Sequence, residues 1–242
     1  MDFTLSPQHE IFRRTVAEFV EKEVLPRVPE MEARGEWDTA LFKRMGELGF
    51  FGLRYPEKYG GAGADTVMFA IFLEEMARGY MSLAAAAMMQ CLMGTNFVHR
   101  FGTEEQRERL LVPALRGEKI GTLAMTEPGA GSDLGAITTR AVREGDSYIL
   151  DGTKSWITSA TRADFFTVAA KTNLDPKAGF KGIDMFLVEK GTPGLTVGKK
   201  INKVGVVASE TSEITLKEVR VPAENLFGGP FRLEPARHRH QR

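Results

Sequence analysis

Apolar positions in the first half of the chain recur at helical spacing. The first such segment places its apolar residues on one face at a period of 3.6 residues: Phe12, Val16, Phe19, Val20 and Val24. Ser6 and Pro7 precede this segment and fit an N-cap and a first helical position. The pattern therefore predicts an amphipathic helix that begins near Pro7.

Four further helices follow from the same reasoning, over about 39–48, over about 65–78, from near Ser82 and from Thr103. Gly49 fits the end of the first of these. Gln106 stands three residues after Thr103, which is the spacing of a capping box. Pro113 is expected to kink or shorten the last helix, because proline removes a backbone donor.

After Gly117 the pattern becomes one of short apolar runs separated by turn formers, which predicts strands over about 120–126, 137–142, 148–150, 153–158, 165–170, 183–189, 195–197 and 213–219. Glu144-Gly145-Asp146 reads as one turn, and Asp151-Gly152 predicts a two-residue hairpin. Helices followed by strands indicate an α+β fold. We expect an N-terminal all-α domain over 1–117, a small β-barrel or sandwich domain over 118–228, and an irregular basic tail over 229–242.

Composition limits the possible functions. The chain has 242 residues, of which 43% are hydrophobic and 26% charged, as is typical of a globular protein. Lys plus Arg and Asp plus Glu both number 32, so no net basic field predicts a nucleic-acid or membrane partner. No targeting segment precedes the first helix, and the apolar stretch 83–93 reads as a buried helix, so we expect a cytoplasmic protein. The single cysteine, Cys91, fits a buried core thiol better than a nucleophile.

The segment 124–133 reads Ala-Met-Thr-Glu-Pro-Gly-Ala-Gly-Ser-Asp and is the first candidate for chemistry. It follows a predicted strand, turns at Pro128-Gly129, and presents consecutive N–H groups near two glycines. Such groups can surround an anion, so the segment could hold a diphosphate. An ordinary tight turn would use the same residues. Neither a P-loop nor a Rossmann fingerprint is present.

A second candidate is the segment 154–160. In a strand of period 2, Trp156 and Thr158 face the same side. A large flat ring beside a hydroxyl group suits an aromatic ligand that also needs a hydrogen bond. The alternative is a core tryptophan that happens to neighbour a threonine.

The tail carries arginines and histidines without a helical or strand period. Its composition indicates disorder. His238 and His240 could bind a metal, but no further ligands converge with them in the sequence, and we predict no metal site.

Together, the segments 124–133 and 156–158 resemble the signature and the flavin-contacting strand of the acyl-CoA dehydrogenase family. Other segments also match family motifs, in the order in which the family has them: 48–52 and 59–61 before these two segments, and 189–194 and 221–226 after them. The resemblance therefore covers about 1–228. It implies a fold of three domains: helical, β, and a final four-helix domain. FAD would lie between the last two domains and touch a neighbouring subunit.

The resemblance also implies which residues bind the cofactor: Leu123, Met125, Thr126, Gly131, Ser132, Trp156, Ile157 and Thr158. Met125 and Thr126 would lie against the isoalloxazine ring, and Ser132 would lie near the FAD diphosphate and the CoA part of the substrate. Trp156 would flank the ring, and Thr158 would hydrogen-bond near N5. By the same resemblance Glu127 is structural and has no role as a base.

The implied reaction is α,β-dehydrogenation of an acyl-CoA thioester, with hydride transfer to flavin N5. The resemblance further implies an electron-transferring flavoprotein as acceptor and a homo-oligomer for full-length members. An acyl-CoA oxidase, or a non-catalytic fragment that binds CoA or flavin, would share the same motifs. Candidate determinants of acyl chain length are Met88, Met89, Gln90 and Thr95, which could equally be core residues.

The sequence departs from the family pattern after Gly228. The catalytic glutamate of the family lies in the final helical domain, and here an Arg/His-rich tail stands where that domain would begin. We therefore assign no catalytic residue in this chain. A frameshifted, truncated or misassembled reading frame would explain the tail. For the chain alone we expect weak or absent FAD retention and little dehydrogenase activity.

Overall fold

The computed structural model describes residues 4–227, and the predicted basic tail lies outside them. Helices occupy the first half of the chain. They are α1 (Pro7–Phe19), α2 (Val28–Arg34), α3 (Thr39–Glu47), α4 (Thr66–Gly79), α5 (Met81–Met88), α6 (Asn96–Phe101), α7 (Glu104–Gln106) and α8 (Val112–Leu115). Wider π-helical turns extend α1 over Val20–Val24, follow α5 over Met89–Gly94, and join α7 to α8 over Arg107–Leu111. All predicted helices are present, and α2 and α6 were not predicted.

The helix ends follow the predicted capping chemistry. The Ser6 side chain accepts a hydrogen bond from the His9 backbone N–H at 3.3 Å. Thr103 and Gln106 form the predicted capping box, each side chain bonded to the backbone of the other. The predicted apolar face of α1 is buried, apart from the half-buried Phe12. These helices therefore begin where side chains satisfy the first free N–H groups.

The stretch Met81–Phe101 forms the central helical segment of this half. By length and composition alone it could cross a membrane, but 56% of its most apolar window is buried inside the protein. Core helices of soluble proteins show the same combination. Cys91 lies within this segment and is 4% exposed, and burial raises the pKa of its thiol. The predicted assignment as a core thiol is confirmed.

The described part of the second half, up to residue 227, forms one seven-stranded mixed sheet. Its strands are β1 (Gly121–Ala124), β2 (Arg140–Glu144), β3 (Ser147–Thr158), β4 (Phe165–Lys171), β5 (Ile183–Glu189), β6 (Leu195–Val197) and β7 (Thr211–Pro222). The order is β1-β4-β2-β3-β7-β6, with β5 also paired to β4. The predicted α+β class is confirmed.

The predicted hairpin at Asp151-Gly152 is wrong. β3 runs through both residues, and the chain reverses instead at Gly145-Asp146, where Glu144 pairs with Ser147. Asp151 lies at a register shift, where its carboxylate accepts a hydrogen bond from the Glu218 N–H at 2.9 Å. A Cβ on Gly152 would lie 2.3 Å from Thr139 Oγ1, so glycine is required here for close packing rather than for a turn.

The helices and the sheet share their cores. One apolar cluster combines helical residues such as Val98 and Leu110 with sheet residues such as Phe165 and Met185. An ionic cluster also joins the halves: Arg162, which follows β3, bonds Glu210 at 2.5 Å and Glu36 at 3.0 Å. The helical half and the sheet therefore pack directly against each other, while the predicted division into domains near residue 117 stays a prediction.

Candidate cofactor and substrate site

A cavity of about 350 Å³ lies where the central helix meets the ends of β1 and β3. It is lined by Met89, Met93, Leu123, Met125, Thr126, Gly131, Ser132, Leu134, Trp156, Ile157 and Thr158. All eight residues for which the sequence predicts cofactor binding are among them. The structure therefore brings these eight together, while their individual roles stay predictions.

The loop after β1 forms one rim of the cavity. Glu127 and Ala130 exchange backbone hydrogen bonds of 2.9 and 3.1 Å, which hold a tight turn at Pro128-Gly129. Within the described residues, the N–H groups of Gly131 and Ser132 donate to no protein acceptor. A Cβ built on Gly131 would meet no atom within 4 Å, so the backbone here is open to a ligand. Free N–H groups on an open glycine backbone suit a phosphate oxygen.

The loop rests on a buried ion pair. Lys154 Nζ lies 2.8 Å from Glu127 Oε1 and donates a second hydrogen bond to the Met125 carbonyl at 3.0 Å. Glu127 also accepts from the Thr138 N–H at 2.6 Å and from the Thr139 N–H at 2.9 Å. Burial alone would raise the pKa of Glu127, but these hydrogen bonds outweigh it and lower the pKa to about 2. Glu127 does not line the cavity, which fits its predicted structural role.

The other rim is an irregular part of β3. The pairing with β7 shifts register between Lys154 and Ile157, and Trp156 has a φ of 61°. This bulge leaves the Trp156 side chain 59% exposed, and three consecutive residues, 156–158, line the cavity. Simple alternation would turn Ile157 away, so the predicted period-2 geometry is incomplete. Bulges commonly redirect side chains in this way beside functional sites.

Three hydroxyl groups face the cavity without a protein partner. The side chains of Thr126, Ser132 and Thr158 make no hydrogen bond to any other residue in the range 4–227. Leu123 and Met125 supply the apolar surface between them. A flat aromatic ligand with polar edges and an attached diphosphate matches this set of groups, so the residues present fit FAD.

The candidates for chain-length selection divide into two groups. Met89 lines the cavity and Met88 does not. The Gln90 side chain donates to the Ala114 carbonyl at 2.9 Å and accepts from the Gly121 N–H at 3.1 Å. Thr95 is fully buried and bonds the Gln90 carbonyl. The latter two residues hold the core together, which was the alternative left open by the sequence.

The cavity wall is uncharged. Among residues 4–227, no Asp, Glu, Lys, Arg or His lines it. Met93, which the sequence did not single out, and Leu134 extend the apolar wall. Leu134 directly follows the signature segment 124–133, whereas Met93 lies far from it in the sequence and reaches the cavity only through the fold.

Comparison with known protein families shows to which family the chain belongs. The family described as acyl-CoA dehydrogenase, N-terminal domain, matches residues 6–118. The family described as acyl-CoA dehydrogenase, middle domain, matches residues 122–219. The chain belongs to the acyl-CoA dehydrogenase family. Its helical half corresponds to the first match, and its sheet to the second.

Individual family members resemble the chain over nearly its whole length. Benzylmalonyl-CoA dehydrogenase from Aromatoleum aromaticum is 46% identical over 222 residues, which are 92% of this chain and 58% of that protein. Butyryl-CoA dehydrogenase from Megasphaera elsdenii has a solved structure with 37% identity and a TM-score of 0.87, covering 95% of this chain and 60% of that one. A glutaryl-CoA dehydrogenase from Mycobacterium smegmatis, solved in complex with FADH2, shows 33% identity and a TM-score of 0.86, covering 93% and 56%. The chain thus spans about three fifths of the length of these relatives.

Proposed function

We propose that this chain provides the flavin- and thioester-binding part of an FAD-dependent acyl-CoA dehydrogenase. One observation carries the proposal: the loop after β1 and the bulge in β3 place three unpartnered hydroxyl groups and an exposed tryptophan around one uncharged cavity. FAD, when bound, supplies the acceptor for the hydride that leaves the β carbon of the acyl group. The protein supplies binding and orientation.

The chain's own groups have distinct tasks in this proposal. The Thr126 and Thr158 hydroxyls donate hydrogen bonds to the polar edge of the flavin ring, and Trp156 covers part of the ring. The free N–H groups of Gly131 and Ser132 bind phosphate oxygens of the cofactor or of CoA. Fixed donors of this kind need no rearrangement when charge develops, which is why such preorganisation contributes strongly to catalysis.

The proton at the α carbon needs a base from elsewhere. No carboxylate among residues 4–227 lines the cavity. Met93 is 39% exposed and Trp156 is 59% exposed, so part of the apolar wall faces solvent. We infer that another protein surface, which carries the base, covers this wall during turnover. An electron-transferring flavoprotein as acceptor and assembly into a homo-oligomer belong to the same proposal.

The described part of the wall meets the acyl group through apolar side chains. Met89, Met93 and Leu134 offer no partner for a second carboxylate on the acyl group. Placing an unpaired carboxylate against apolar side chains is costly. A charged acyl group would therefore need its partner on the surface that covers this wall.

The test of flavin binding uses the open glycine. We expect Gly131→Ala to weaken FAD binding at least about tenfold, since the methyl group blocks the approach of a phosphate to the backbone N–H groups. Folding should not change, because the new Cβ meets no protein atom within 4 Å. Flavin fluorescence titration of the full chain measures the affinity, and desalting followed by an absorbance spectrum measures retention.

The matched control is Gly205→Ala, whose Cβ also meets no atom within 4 Å but lies outside the cavity. We expect this variant to bind FAD like the unaltered chain. Equal dissociation constants for all three proteins would contradict the proposed binding of phosphate by the backbone at Gly131. The chain alone is expected to retain FAD weakly, so the affinity is taken from the titration rather than from retention after desalting. A titration with no saturable FAD binding would contradict the assignment of the cofactor to this part of the protein.

A further inference from the structure

A second cavity, of about 370 Å³, lies in the helical half of the chain. Arg54, Asn96, His99 and Arg100 surround it, above a floor that includes Tyr55 and Leu92. It uses the same helical segment as the first cavity but different residues of it. None of its lining residues belongs to the flavin and thioester site described above.

The two arginines of this cavity have no anionic partner within the part of the chain that the structure describes. Most arginines among residues 4–227 pair with a carboxylate, but Arg54 and Arg100 make neither an ion pair nor a hydrogen bond there. Instead the Arg54 guanidinium lies 5.4 Å from the Phe69 ring centre, and that of Arg100 lies 5.5 Å from Phe101. An arginine beside a ring keeps N–H groups free to donate, so both side chains are positioned yet unsatisfied.

The remaining polar groups of the cavity are also donors. The ring of His99 meets Tyr55 edge-on at 5.1 Å and has no hydrogen-bond partner among the described residues. Burial lowers the pKa of His99, and the nearby Arg107 and Arg100 lower it further, so its imidazole is neutral at pH 7 and donates one N–H. The Asn96 amide has no partner in the same range either.

Among residues 4–227, no carboxylate pairs with this group of donors. The acids nearest to the two arginines in the chain are Glu57 and Glu104. Glu104 bonds Lys58 at 2.7 Å, Arg107 at 3.0 Å and the Tyr59 hydroxyl at 3.2 Å. Neither acid lines the cavity. The positive charge of Arg54 and Arg100 is therefore balanced neither by a lining residue nor by an ion pair with these acids.

The floor of the cavity is apolar, and the one hydroxyl group on it already has hydrogen-bond partners inside the protein. The Tyr55 hydroxyl donates to the Cys91 carbonyl at 2.9 Å and bonds Thr95 Oγ1 at 2.6 Å. Its ring therefore acts as a wall, together with Leu92. The cavity combines four donors at the rim with a small apolar floor.

We propose that this cavity binds a small organic oxyanion, namely a carboxylate or a phosphate ester. The anionic group bonds Arg54 and Arg100, with Asn96 and His99 as further donors. The carbon part of the ligand lies against Tyr55 and Leu92. Arginine suits this task because its planar fork matches the geometry of carboxylate and phosphate oxygens.

Isothermal titration of the full chain with inorganic phosphate and, separately, with citrate tests the proposal at constant ionic strength. We expect saturable binding of at least one of the two, and the tighter probe identifies the class of oxyanion. Arg100→Gln and Arg54→Gln should each weaken this binding at least about tenfold, because each removes a charge-assisted hydrogen bond. Both arginines are exposed, and Arg100→Gln decides the question if Arg54→Gln fails to fold.

Arg14→Gln is the matched control, since Arg14 is exposed, unpaired in the described range and outside both cavities. We expect it to bind like the unaltered chain. Absence of saturable binding for both probes would overturn the proposal. An equal loss in all three variants would also overturn it, because that result indicates general charge attraction rather than a site.

Discussion

Lys154→Met is expected to lower the free energy of unfolding by about 3–5 kcal/mol, because it leaves the Glu127 carboxylate buried without its cation. The side chains of Lys154 and Glu127 are 0% and 3% exposed, and their charged atoms lie 2.8 Å apart. Met125 lies in the loop beside the flavin cavity, and its carbonyl loses the hydrogen bond from Lys154 as well.

Urea denaturation of the unaltered chain and the variant measures this effect. Arg220→Gln is the matched control, because it breaks an exposed pair with Glu144 of the same length, 2.8 Å, and should cost at most about 1 kcal/mol. The double variant Lys154→Met with Glu127→Gln carries no charge at either of these two buried positions. It should therefore be more stable than Lys154→Met alone. Equal losses for the buried and the exposed pair would show that the ion pair is not a principal support of the loop.

The same pair gives stability a dependence on pH. Hydrogen bonds lower the pKa of Glu127 to about 2, well below the pKa of 4.5 of an unperturbed glutamate. A carboxylate with a lowered pKa contributes its stabilisation fully above pH 4.5 and loses it as the pH falls toward 2. Glu127→Gln should remove this part of the acid sensitivity. The free energy of unfolding of both proteins is measured at pH 5 and at pH 3. If it falls by the same amount in Glu127→Gln as in the unaltered chain, Glu127 is not a source of the acid sensitivity.

The cavity residues could be predicted from the sequence because two short segments contain most of them. The signature loop and residues 156–158 contribute seven of the eleven lining residues, and Leu123 directly precedes the loop. Met93 could not be found in this way. Met93 lies about 30 residues before Leu123, in a helical segment that is rich in apolar residues. The sequence does not show which of these apolar residues faces the cavity, because that depends on how the segment packs on β1.

The errors of the sequence analysis have a local cause. Asp151-Gly152 has the chemistry of a tight turn, but Thr139 packs against Gly152, and a hydrogen bond to Glu218 occupies Asp151. Long-range contacts therefore override the local preference. The role of Lys154 escaped notice for a similar reason. A lysine in a strand normally faces solvent, and its buried partner lies 27 residues earlier in the sequence.

Gly94→Ala should also cause a large loss, although alanine is the better helix former by about 1 kcal/mol. A Cβ at this position would lie 2.0 Å from the Gly121 carbonyl oxygen and 2.4 Å from its carbon. These are backbone atoms at the start of β1 and cannot rotate away. The helical turn Met89–Gly94 must therefore move off the strand, at a cost of about 1–3 kcal/mol or more.

This displacement would act on the cavity as well as on stability. Met89 and Met93 lie on the helical turn, and Leu123 lies on β1, so separating the two elements changes the wall that faces the proposed flavin. We expect Gly94→Ala to weaken both the resistance to urea and the affinity for FAD, and Gly205→Ala to leave both unchanged. If Gly94→Ala keeps the stability and the FAD affinity of the unaltered chain, the helical turn and β1 can move apart without loss of free energy. The close approach of the two backbones would then not determine the shape of the cavity.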